Sequence, residues 1–70
     1  MKEIAPGVFE DFEGTPWITD PAKHSTEDLL RLANNPWHLA FLKRWRGTER
    51  IKGSRLLREI ESRGMLESLA

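Results

Sequence analysis

Proline sets the first limit on what this chain can form. Three of its four prolines, Pro6, Pro16 and Pro21, fall within the first 21 residues, alongside Gly7 and Gly14. A proline has no backbone N–H and drives its predecessor away from the helical region, so no long helix fits there. The same segment carries Ile4, Val8, Phe9, Phe12, Trp17 and Ile18, too much apolar surface for a solvated tail. It reads as an extended arm over residues 1–19, with at most a short strand or turn, docked on the helical part of the chain. "DPAK" (20–23) suits a single helical turn, with Asp20 as N-cap and Pro21 at the first helical position.

The fourth proline divides the remainder. "STEDLLRLANN" offers Ser25 as an N-cap with Asp28 at capping-box spacing, and its Leu29, Leu30, Leu32 and Ala33 share one face. This predicts a helix over about 26–34. Asn35 then caps a second helix, with Pro36 at its first position and Gly47 just beyond its end. Ile51 lies across a helical wheel from Ile60, so one continuous helix after Thr48 would split its apolar residues. Ser54 gives a fresh N-cap and Gly64 a C-cap, with Leu56, Leu57 and Ile60 on one face. Arg55, Glu59 and Arg63 run down the other side at ion-pair spacing, and Met65, Leu66 and Leu69 form a tail that folds back. The expected fold class is all-α: a small three-helix domain (25–70) with an extended acidic-aromatic arm (1–24) packed on it.

The segment "NPWHLAFLKRWRG" (35–47) poses the main functional question, because it mixes rings with cations. On a helix, Trp37, Phe41 and Trp45 fall within an arc of about 80°, with Lys43, Arg44 and Arg46 mostly outside it. Such a stripe is expected to face the core, and His38 beside it to lie at the helix edge. The alternative is a stacking surface for single-stranded nucleic acid.

Net charge is zero, yet its distribution is not even. Residues 1–28 carry two cations against seven carboxylates, a net of −5, and residues 29–70 carry nine against four, a net of +5. The densest basic set is Lys43, Arg44, Arg46, Arg50, Lys52, Arg55 and Arg58, the candidate partner-binding residues. Arginine outnumbers lysine in it, which suits forked contacts to carboxylate or phosphate. In "FEDFEG" (9–14), Glu10, Asp11 and Glu13 alternate with rings, as in an anchored arm, in a phosphate mimic covering the basic face, or in a docking peptide.

Catalysis finds little support. There is no cysteine or tyrosine, and the two histidines, His24 and His38, have no evident nucleophile beside them. Asp20, His24 and Asp28 have metal-ligand spacing, but Pro21 and the helix start at Ser25 interrupt the face. No cofactor, metal or small-molecule substrate is expected. The longest apolar run, Leu39–Leu42, is far too short for a membrane span, and "MKEIAPGVFEDFEG" holds no apolar signal core. The expected compartment is the cytoplasm.

"GSRLLREIESRGML" (53–66) resembles the recognition helix and following turn of winged-helix DNA-binding proteins. The likeness covers fourteen residues, and "RWRGTERIK" before it is too short for the usual intervening helix, so no residue role is carried over. The leading expectation is a non-enzymatic regulatory protein that contacts a larger macromolecular machine, with transcription as the expected setting. It would use protein–protein contact through a basic helical face and the acidic arm. The alternative is a DNA- or RNA-binding helical module using Arg44–Arg58.

Overall fold

The computed structural model describes residues 1–69. In chain order its strands are β1 (Lys2–Ala5), β2 (Val8–Glu10) and β3 (Pro16–Ile18), and its α-helices are α1 (Thr26–Ala33), α2 (Pro36–Trp45) and α3 (Arg55–Ser62). Short 3-10 turns cover Pro21–Lys23, Glu49–Gly53 and Leu66–Ser68. The last residue of the expected helical domain, Ala70, lies outside the described residues.

The all-α expectation is overturned, because the arm folds into a three-stranded antiparallel sheet of order β1-β2-β3. Its prolines and glycines act as hairpin turns rather than only as barriers to helix. Ala5 pairs with Val8 across Pro6–Gly7, and Gly7 takes a φ of 74°, the positive angle a tight Pro-Gly turn needs. Ile4 is an extra residue in this ladder, forming a bulge between Glu3 and Ala5. Pro16 starts the edge strand β3, where a missing N–H is tolerated. Val8 pairs with Ile18, and both point from the sheet into the core.

The helices form where their caps stand. Ser25, Asn35 and Ser54 each accept a hydrogen bond from the backbone N–H three residues on, at Asp28, His38 and Leu57. Asp20 makes no such side-chain bond at the Pro21–Lys23 turn, so its expected capping role is corrected. The core joins Val8 and Ile18 to Leu29, Ala33, Leu42, Ile51, Leu56, Leu57, Ile60 and Leu69. Ile51 reaches it from its own 3-10 turn, and Leu69 from the returning tail.

The inward face of α2 differs from expectation. His38 is 0% exposed and Leu42 is buried, whereas Trp37 is 38% exposed and Phe41 and Trp45 are half-buried. The helix is thus turned by about one residue step, roughly 100°, from the orientation that would bury the rings. Large rings are seldom fully covered in a small domain, and here they bridge core and solvent. Trp37 packs edge-on to Trp17 at 4.6 Å between centroids and stacks on Phe41 at 5.1 Å.

Arg63 ties three elements together. Its guanidinium donates to Glu59 Oε2 (2.9 Å), Thr26 Oγ1 (3.0 Å) and the Pro21 carbonyl (3.3 Å). Replacing it with alanine leaves a half-buried carboxylate and a carbonyl without their donor, at an expected cost of about 2 kcal/mol. Urea unfolding checks this, and Arg63→Lys restores only part of the loss because an ammonium lacks the planar fork.

Candidate interaction surfaces

The acidic loop and the first three residues of the basic set lie at opposite ends of α2. The β2–β3 loop rests at its N-terminal end, where Glu13, Gly14 and Thr15 border a cleft with Asn35, Pro36 and Trp37. Lys43, Arg44 and Arg46 stand at its C-terminal end, about 15 Å along a ten-residue helix. This layout follows the helix dipole, with acids toward its positive end and cations toward its negative end.

Asp11 builds the acidic loop. Its Oδ1 accepts the N–H groups of Glu13 (2.9 Å) and Thr15 (3.0 Å), and its Oδ2 accepts the Trp17 indole N–H (2.9 Å). The Asp11 N–H bonds the Thr15 carbonyl, and the Asp11 carbonyl accepts from Gly14. The Trp17 indole first, and the two backbone donors after it, hold the Asp11 carboxyl below the usual aspartate range. Phe12 stands at the tip of this loop, 99% exposed. The expected arm with all its rings against the helices is therefore corrected at Phe12. Glu10, Asp11 and Glu13 form no ion pair among the described residues, so within one chain they do not cover the basic face.

The seven basic candidates divide into groups. Arg44 and Arg50 place their guanidinium carbons 4.9 Å and 4.7 Å from the centroid of the Trp45 ring. Lys43 and Arg46 border a groove of about 440 Å³ whose other walls are Leu39, Ala40 and Leu42. Arg46 also donates to the Leu66 carbonyl at 3.2 Å. Arg55 and Arg58 border a separate groove beside Asp20 and Glu59, and Arg55 reaches the Thr19 carbonyl at 3.5 Å. Lys52 pairs with Glu49 at 3.6 Å. The other six have no carboxylate within 4 Å among the described residues, and the anticipated Arg55–Glu59 pair does not form because Glu59 binds Arg63.

His38, read from the sequence as a helix-edge residue, is instead the most enclosed titratable group. Asn35 Nδ2 donates to the Leu32 carbonyl (2.6 Å) and lies 2.7 Å from His38 Nδ1. An amide donor there makes Nδ1 the acceptor and leaves the ring proton on Nε2, which has no partner among the described residues. Trp17 and Trp37 flank the ring at 5.1 Å and 5.0 Å. Burial pushes its pKa down from 6.5 to about 4, so the imidazole is neutral at pH 7.

Asp20, His24 and Asp28 do not converge, and no group of three metal-ligating side chains gathers among the described residues. Asp20 pairs with Lys23 and Asp28 with Arg31. No helix among the described residues is long and apolar enough to cross a membrane. Comparisons with protein families, with curated proteins and with solved structures found no match to this chain.

Proposed function

We propose that the chain is a non-enzymatic regulatory binding module whose basic edge, at the end of α2 and the turn after it, engages an acidic surface on a larger protein assembly. The observation that carries this reading is the Arg44–Trp45–Arg50 set, in which two guanidiniums lie over one ring with no carboxylate to neutralise them among the described residues. Contact with the indole restrains the arginines while leaving their N–H donors open, which lowers the ordering cost of docking. Tryptophan and arginine are also the residues that most often dominate binding energy at protein interfaces. The acidic hairpin at the far end of α2 supplies a second contact of opposite sign. A long polyanion running past the basic edge would meet that hairpin and be repelled, which favours a protein partner.

The half-buried Trp45 ring beside two arginines supports a second reading, a platform for one or two stacked bases of a single strand. Affinity capture from the native host, with and without nuclease, separates the two. The expected result is a protein that survives nuclease treatment and is lost from the Arg44→Glu/Arg50→Glu variant. Unchanged recovery after that charge reversal sinks the protein reading. Nuclease-sensitive recovery, together with quenching of tryptophan fluorescence by a single-stranded oligonucleotide that weakens steeply with salt, selects the second.

A further inference from the structure

We infer that the chain associates head to tail with copies of itself, the Phe12 tip of one copy docking into the groove on α2 of the next. Three observations fit together. Phe12 is fully exposed, and the Asp11 hydrogen bonds hold the loop that presents it. A ring on a loop already ordered loses little freedom when it docks. The groove has apolar walls from Leu39, Ala40 and Leu42 with Lys43 and Arg46 beside them, and at about 440 Å³ it has room for one phenyl ring.

Charge selects the occupant. Phe12 is flanked by Asp11 and Glu13, with Glu10 just before them, and none is paired with a cation among the described residues of its own chain. Lys43 and Arg46 likewise have no carboxylate partner among the described residues. An aromatic tip bearing acids thus matches an apolar groove bearing cations, and a single sequence carries both. Tip and groove lie at different places along α2, so a chain cannot fill its own groove with its own loop as folded here. The contact between copies is therefore heterologous, and it propagates unless its rotation closes a ring. Complementary charge at the two surfaces steers the encounter and weakens with salt.

This goes beyond the proposed function, since it uses Phe12 and the α2 groove rather than Arg44 and Arg50 and is read on the purified chain alone. A contact this small falls below the standard interface size, so sedimentation velocity is run across a wide range, from low micromolar to millimolar chain. The expected result is a weight-average mass that rises with concentration and falls when salt is added. Phe12→Ser removes the tip, and Ala40→Glu/Lys43→Glu blocks the groove. Both variants change only exposed side chains, and circular dichroism confirms that each remains folded. Each variant alone stays monomeric at every concentration at which the wild-type chain associates. Mixed together they form a one-to-one complex that does not grow, because one retains the groove and the other retains the tip. A wild-type chain that stays monomeric throughout, association that survives either variant, or a mixture that fails to pair overturns the inference.

Discussion

Acidification from pH 7 to pH 4 is expected to remove about 3 kcal/mol of folding stability through His38 alone, at roughly 1.36 kcal/mol per unit of pKa difference. The folded ring has its pKa pushed down from 6.5 to about 4 by burial. Between those two values the unfolded chain binds more protons than the folded one, so stability rises with pH across the window and is lost as pH falls through it. Below about pH 4 the His38 contribution is exhausted. The Asp11 carboxyl acts in the same direction at lower pH, since its folded pKa lies below the ordinary aspartate value and its stabilising hydrogen bonds are lost on protonation. Against a total of about 5 kcal/mol for so short a chain, the His38 effect alone decides whether the fold survives mild acid. Urea titrations at half-unit steps from pH 7.5 to 3.5 measure it. In His38→Leu the slope between pH 6.5 and 4 should flatten, whatever that substitution does to stability at pH 7. A wild-type chain with constant stability across the window is incompatible with a neutral, enclosed imidazole.

The orientation of α2 makes an equally large prediction. Leu42→Ala should cost about 3 kcal/mol, the usual toll of a buried leucine, because its side chain belongs to the enclosed core. Trp37→Ala removes a far larger side chain but, with more than a third of the residue already facing water, should cost about the same, roughly 3 kcal/mol. A cost for Trp37→Ala well above that of Leu42→Ala places the tryptophan stripe inside after all. Thermal or urea unfolding of the two variants at pH 7 gives the answer directly.

The helices are legible in the sequence because their ends carry chemistry that acts within one turn. Ser25, Asn35 and Ser54 each announce a start through a side-chain oxygen, and Pro36 fixes the second start to the residue. The strands are not legible. With three or four residues each, they are too short for an alternating pattern to stand out, and their pairing joins residues up to ten positions apart, such as Val8 and Ile18. Pro6–Gly7 does hold a readable hairpin signal, but the pair is equally an obstacle to helix, and without visible strands on either side the obstacle is all it announces. A helical wheel sets the α2 phase by its heaviest rings, whereas the fold buries the side chains that suit its limited interior, Leu42 and a neutral imidazole. Asn35, three residues before His38, is recognisable as a cap, yet its second role as the imidazole's donor requires the helix to exist first.

At the candidate surfaces, the basic set is visible as a run of charge, but its division is not. The Arg44 and Arg50 contacts with Trp45 depend on the turn after α2 bringing position 50 back against position 45. The exposure of Phe12 likewise depends on the bonds that Asp11 makes, four and six residues ahead, to Thr15 and Trp17.

The bulge at Ile4 bears on how the molecule behaves in a crowded solution. An unpaired strand margin invites backbone-to-backbone growth, the first step toward fibrils. Here β1 is kinked at its middle, charged at Lys2 and Glu3, and followed at once by Pro6, while β3 begins with a proline. Neither border offers a long, flat row of free amides, so the sheet is protected from recruiting its neighbours into amyloid-like stacks.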